Sequence, residues 1–493
     1  MNPLKKLAKQ TAIYGLSSVV GRLLNYLLVP LYTRYFLPEE YGIVTELYAY
    51  VAFLVVILTY GIETSFFRYS QKLTSKQNIY STALISLILT STLFIFIIFY
   101  LSQPIANFLQ YPNNTEYIKF FALIIGLDAI SAISFAKLRE LGNATRFALI
   151  RLLNIFINIG LNLFFIIYCP YAIENGLNSI EFVQSIYNKE YGVGYIFIAN
   201  LISSIVTFIM LIPEMTNSTW KFDKSLWKQM MIYGFPLLIA GLAGITNETI
   251  DRILLKHLLS DNLNVSAEIG LYGAFYKLSI LIVLFIQTFR FAAEPFFFNQ
   301  AKEKNSKKTY AQVLKYFTII CLFIFLFVTI FYDFIILFLG SNYHDHRGFL
   351  TVSILLFANI FLGIYYNLSI WYKLSDKTIY GAYLSIFGAI ITITLNFIMI
   401  PIHGFVGSAW VTLICYFSMT VASYYLGKKH YKIDYPVKRI LFYLLITALL
   451  YYLNILLNHI IVIKFLFLLI FLIIIFILEK PKKVLISNPK LFE

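Results

Sequence analysis

Five basic residues, Arg22, Arg151, Arg252, Lys277 and Arg290, stand inside long apolar runs. A charge at mid-bilayer costs about 2.5 to 3.5 kcal/mol on insertion scales, so such groups turn toward a bundle interior or an aqueous cavity. Arg22 lies about ten residues into its run, roughly 15 Å deep at the helical rise, too deep to snorkel. It is either a ligand contact or the partner of a carboxylate on another helix. Ser18, Arg22, Asn25 and Thr33 share one helix face. Arg151, Asn154, Asn158 and Asn162 follow at i, i+3, i+7 and i+11, a polar stripe that suits either helix-to-helix bonding or the lining of a cavity. Gln287, Arg290 and Glu294 form a third face, in which Arg290 can pair with Glu294 at i, i+4. Glu248, Asp251 and Arg252 are either a cation or proton site or a self-neutralising group. Asp128, Glu46 and Glu63 are lone carboxylates that read as structural, and Arg34 reads as an interfacial anchor.

No soluble domain is built around these residues. The chain of 493 residues is 60% hydrophobic and 13% charged, with a mean hydropathy of +0.77, against about 25% charged residues in a soluble domain. Apolar runs of about twenty residues predict an all-α integral membrane protein with about fourteen spans, near 12–34, 43–66, 79–101, 117–136, 147–168, 192–213, 230–256, 269–292, 312–333, 350–372, 379–401, 404–426, 438–457 and 460–478. The first run lacks a small-residue cleavage site, so no removable signal peptide is expected.

The net charge of +15 follows the topology these spans imply. Alternate connections hold Lys5, Lys6 and Lys9; Arg68, Lys72 and Lys76; Lys302, Lys304, Lys307 and Lys308; Lys428, Lys429 and Lys432; and the tail lysines 480 to 490. The connections on the opposite side hold only Arg34, Lys119, Lys189, Lys256, Arg347 and Lys464. This asymmetry predicts that both termini are cytoplasmic and removes the case for nucleic acid as a partner. Cys169, Cys321 and Cys415 are far apart, and no paired carboxylates, metal-ligand spacing, nucleophile elbow or P-loop is present. These absences argue against an enzyme and an ATP-driven pump, and no metal and no cofactor is expected.

An internal repeat divides the chain. INIGLNLFFIIYCP (157–170) and YGVGYIFIANLI (191–202) are matched by ITITLNFIMIP (391–401) and HGFVGSAWVTLI (403–414). Leu161-Asn162 corresponds to Leu395-Asn396, and Gly192 to Gly404. The expected organisation is two parallel six-helix lobes, 1–220 and 221–430, followed by a helix pair and basic tail over 431–493.

The first span followed by RYFLPEEYG (34–42), the LNLFFIIY and LNFIMIPIHGFVGSAW segments and the 6+6 repeat together resemble the polysaccharide-repeat flippases of the multidrug/oligosaccharidyl-lipid/polysaccharide (MOP) exporter superfamily, of the O-antigen and capsule type. The resemblance implies a MATE/lipid-flippase-like fold in the bacterial inner membrane. The implied function is alternating-access transport of undecaprenyl-pyrophosphate-linked oligosaccharides for lipopolysaccharide or other surface polysaccharide, alongside glycan polymerase or assembly proteins. Within that resemblance Arg22, Arg151, Lys277 and Arg290 become the expected pyrophosphate contacts. Asn25, Asn154, Asn158, Asn162 and Gln287 become the expected sugar or cavity contacts, and Glu248, Asp251 and Glu294 the candidates for coupling to sodium ions or protons. Lipid II flippases are related, but their first helix carries an Arg-Asp pair after Ser-Arg, whereas here Gly21-Arg22 precedes Leu23, Leu24 and Asn25. A cation-coupled small-molecule or multidrug exporter is the remaining alternative.

Overall fold

The computed structural model describes residues 20–72, 76–176, 179–260, 262–301, 303, 305–457 and 461–479. Among them every regular element is a helix. This is what a bilayer demands, because a helix satisfies its backbone hydrogen bonds within one segment. Ser18 and the basic tail from 480 lie outside the described residues.

The first span is described from residue 20 and is broken. Its helix stops at Leu27, whose N–H is shared between the carbonyls of Leu23 (3.2 Å) and Leu24 (3.1 Å), and α1 (Leu28–Tyr35) resumes the course. There follow α2 (Pro38–Thr59), α3 (Ile62–Lys72), α4 (Lys76–Tyr100), α5 (Thr115–Glu140), α6 (Ala144–Leu163) and α7 (Gly194–Thr216). The second half comprises α8 (Lys224–Leu258), α9 (Val265–Leu278), α10 (Ile280–Gln300), α11 (Ser306–Ile330), α12 (Gly348–Leu368), α13 (Ile379–His430), α14 (Val437–Leu456) and α15 (Ile461–Glu479). Local chemistry sets several starts. Pro38 opens α2 while the Glu40 carboxylate accepts the Leu37 N–H (2.8 Å), and Asp223 and Asn264 cap α8 and α9 through the N–H groups of Leu226 (2.9 Å) and Ala267 (3.1 Å).

Among the described residues, eleven helices are long and apolar enough to cross a membrane, and α9 with α10 makes a further span bent by 48°. The 52-residue α13 joins the predicted eleventh and twelfth spans through a non-helical Gly404. Gly404 (φ 58°, ψ −142°) and its repeat partner Gly192 (φ 52°, ψ −125°) adopt the same conformation, one essentially reserved for glycine. Asn162 and Asn396 are both buried, and each donates to a carbonyl four residues back, Asn158 (2.7 Å) and Thr392 (2.8 Å). The two repeat segments thus share backbone and side-chain geometry as well as residues.

The two halves of the chain touch at both ends of the bundle. At the lysine-poor end Thr33 Oγ1 accepts the Gly340 N–H (3.1 Å), Tyr343 donates to the Phe36 carbonyl (3.1 Å), and α2 crosses α9 through Gly42 and Gly270. A Cβ on Gly42 would stand 1.8 Å from the Ser266 carbonyl oxygen, and one on Gly270 1.8 Å from that of Pro38. At the lysine-rich end Ser65 donates to the Met230 carbonyl (2.9 Å), Tyr69 to that of Gln229 (3.2 Å), and Arg68 lies over the Tyr233 ring (4.0 Å). The last two helices are pinned by Lys464 to Asp333 (2.5 Å) and by Lys315 and Tyr443 to Glu479.

A loop cluster at the lysine-poor end is built on Arg347. Arg347 donates to both oxygens of Glu268 (2.8 and 2.9 Å) and to both of Asp345 (2.9 Å each). The Arg347 hydrogen bonds hold the Asp345 carboxyl below its ordinary range. Folding therefore favours the charged form, and the stability it contributes is present above the unfolded value of about 3.9 and lost as pH falls through the lower folded one. Thermal unfolding should show Asp345→Asn losing this acid dependence. Arg347→Ala should cost about 1–2 kcal/mol near neutral pH, the upper range for a partly exposed pair because the grip is two-pronged.

Candidate functional site

Arg22, Asn25, Asp128 and Arg151 are exposed on the protein although each stands within a membrane-length apolar run. Exposure to lipid would incur the full cost of an unsolvated charge, so these groups define a polar cleft. Gly21 packs the first helix on Ile155 of α6, which puts Arg22 near Arg151, close enough for each charge to act on the other. The Arg151 guanidinium stacks over Phe135 (4.2 Å) and within 5.7 Å of Phe147, with Asp128 as its strongest electrostatic neighbour. Aromatic faces hold the Arg fork in place while leaving its N–H edge open to an anion.

The asparagine stripe divides. Asn154 donates to the Ser203 carbonyl (3.0 Å) and Thr207 Oγ1 (2.9 Å) of α7, and Asn162 is fully buried, bonded to Asn158 (3.1 Å) and accepting from Tyr32 (3.0 Å). Asn162, expected at a cavity wall, joins helices instead; Asn158 is half-buried beside it and Asn25 remains exposed. Truncating Asn162 to alanine strands the Tyr32 hydroxyl and should cost about 1–3 kcal/mol in unfolding measurements.

A second-half cavity of about 410 Å³ opens between α8, α10, α12 and α13, lined by Glu248, Arg290, Tyr365, Tyr366, Tyr372 and Tyr416. Arg290 lies over the Tyr366 ring (4.0 Å), and Gln287, one turn earlier, keeps a buried oxygen without a hydrogen bond among the described residues. The Glu294 side chain lies outside the described residues. Lys277 is half-buried and acts electrostatically on Glu248. Asp251 is spent internally: Arg252 donates to one oxygen (2.9 Å), Tyr272 to the other (2.5 Å), and the guanidinium covers Tyr276 (4.1 Å). Glu63, read as a lone carboxylate, pairs with Arg139.

Sequence reading missed one constellation. Lys256, assigned to a connection, lies in the last turn of α8 and is buried, 3.3 Å from Glu46 of α2 and 3.2 Å from the Tyr111 hydroxyl. The signal was the Glu46–Lys256 charge complement, which no spacing rule connects across 210 residues. No group of three or more His, Cys, Asp or Glu suited to a metal occurs among the described residues.

The whole-chain geometry is similar to solved transporters. The lipid II flippase MurJ in an inward closed conformation gives a TM-score of 0.71 at 17% identity, covering 94% of this chain and 98% of that one. An inward-facing multidrug resistance MATE family transporter of the MOP superfamily gives 0.64 at 14% identity over 85% of this chain and 94% of its own. An outward-facing one gives 0.59 at 15% over 87% and 96%. No curated protein sequence matches significantly. At these identities the likeness establishes the fold. The profile of the family described as polysaccharide biosynthesis protein matches residues 7–300, more than half of the sequence, and the chain therefore belongs to that family.

Proposed function

We propose that the protein flips undecaprenyl-pyrophosphate-linked oligosaccharide repeat units across the bacterial inner membrane by alternating access, for surface polysaccharide such as O-antigen. The observation that carries this reading is the pair of exposed arginines, Arg22 and Arg151, within membrane-length helices of the first half. A pyrophosphate is the part of such a substrate that needs cations at depth, and two-point Arg contacts suit it. The tyrosine-lined second-half cavity suits the sugars, whose apolar ring faces stack on aromatics while their hydroxyls meet Arg290 and Glu248. In this reading the lysine-rich face is cytoplasmic, with both termini there, and residues 1–220 and 221–430 are lobes that rock about the cleft, with 431–493 appended.

A small-molecule exporter is the second reading, favoured by the size of the cavity and by exposed Glu248 within it. Proteoliposomes loaded separately with a labelled undecaprenyl-pyrophosphate oligosaccharide, lipid II and a cationic drug separate the two. Translocation of the oligosaccharide alone is expected; drug transport without any lipid-linked sugar would replace this reading with the exporter.

A further inference from the structure

A buried polar cluster joins the two halves of the chain. Glu46, in the third turn of α2, is 0% exposed. Its Oε2 accepts the Tyr111 hydroxyl at 2.5 Å and lies 3.3 Å from Lys256 Nζ, which itself donates to Tyr111 at 3.2 Å and sits 4.4 Å from that ring. The other carboxylate oxygen, Oε1, is buried and has no hydrogen-bond partner among the described residues. Buried carboxylate oxygens are normally satisfied, so this one is an open position for a proton in an otherwise complete network. Glu46 and Tyr111 belong to the first half and Lys256 to the second, and the cluster lies on the same side of the bundle as the Gly42–Gly270 crossing.

We propose that Glu46 is a proton-binding site and that its protonation unlatches the lysine-poor side of the transporter. With the carboxylate charged, Glu46 and Lys256 neutralise each other and the halves stay together. When one proton from the water at that face adds to Oε1, no covalent bond breaks; the ion pair ends and the cluster changes from net zero to one positive charge. Lys256 is then a buried cation without a counter-ion, the costly half of a broken buried pair. Parting α2 from α8 and α9 hydrates it. The driving ion is thereby assigned as a proton acting at a residue remote from Glu248, Asp251 and Glu294.

The surroundings leave few rivals for that role. The groups acting on Glu46 are Lys256, Tyr111 and His257. His257, also on α8, meets the Tyr50 hydroxyl of α2 (3.4 Å) and the Phe108 ring (5.9 Å). From α9, Glu268 is held by Arg347; from α5, Asp128 lies beside Arg151. His257 is thus the competing titratable group, and the test separates it from Glu46.

The measurement is a distance between spin labels on Asn113→Cys and Asn262→Cys, exposed positions flanking the cluster in the two halves, in protein reconstituted into nanodiscs; the native Cys169, Cys321 and Cys415 are buried. Between about pH 8 and about pH 5 the open population should rise at least roughly tenfold relative to the closed one. Glu46→Gln should be open at both pH values, and His257→Gln should respond as the wild type. The double change Glu46→Gln with Lys256→Met removes the stranded cation and should be closed at both, which keeps the test decisive where the single variant fails to fold. A wild-type distance insensitive to pH, or a Glu46→Gln protein or the double variant that keeps the wild-type response, would overturn the proposal. Because the readout needs no cargo, its failure and that of the flippase reading are distinguishable.

Discussion

Replacing Arg22 with alanine should lower the rate of lipid-linked oligosaccharide flipping in proteoliposomes by about ten- to a hundredfold, and Arg151→Ala should do the same. Each charge-assisted hydrogen bond to a phosphate contributes about 1.5–3 kcal/mol, which is that range in affinity. Arg22→Lys should recover only part of the loss, since an ammonium offers a point charge where the guanidinium offers a fork. Both positions are exposed, so their truncation opens no core cavity and the variants should express and unfold as the wild type does. Asp251→Asn provides the contrast. Its carboxylate is held by Arg252 and Tyr272, and its loss should appear in stability more than in transport at saturating substrate. Normal flipping by a well-folded Arg22→Ala protein would remove the arginines from the substrate path.

Gly270→Val should abolish transport almost completely by preventing closure at the lysine-poor end. The new Cβ would lie 1.8 Å from the Pro38 carbonyl oxygen and 2.8 Å from its carbon. Both obstacles are backbone, so α2 and α9 must separate by more than an ångström before ordinary contact is restored. Overpacking of this kind costs about 1–3 kcal/mol even where side chains can yield. Here they cannot, and the open state, in which the helices are apart, escapes the penalty entirely. The label pair at Asn113 and Asn262 should report the open distance at every pH, and Gly42→Val should behave alike, with its Cβ 1.8 Å from the Ser266 carbonyl oxygen. Gly160→Ala is the control, because nothing stands within 4 Å of that Cβ. Wild-type transport by Gly270→Val would mean that this crossing never needs to close.

Asp251 and Asn162 show where sequence reading reached its limit. For both, the sequence established a polar group in a membrane helix and left open whether it served a ligand or another helix. The answer depended on how the helix is rotated against its neighbours, which placed Tyr272 and Arg252 on Asp251 and Tyr32 on Asn162. Arg22 and Arg151 kept their open faces by the same rotation.

The sequence by itself determined the membrane class, the helices and the repeat. Each rests on local or periodic properties: an apolar run long enough to cross a bilayer, lysines alternating from one connection to the next, and glycines recurring where only glycine fits, as at Gly192 and Gly404. Only the tertiary structure decided which polar groups meet. Glu46, Tyr111 and Lys256 carry no mutual spacing signal; they form one buried cluster because α2, the segment after residue 108 and α8 converge at one end of the bundle. Their pairing is a property of helix packing across long sequence separations, which no local pattern encodes.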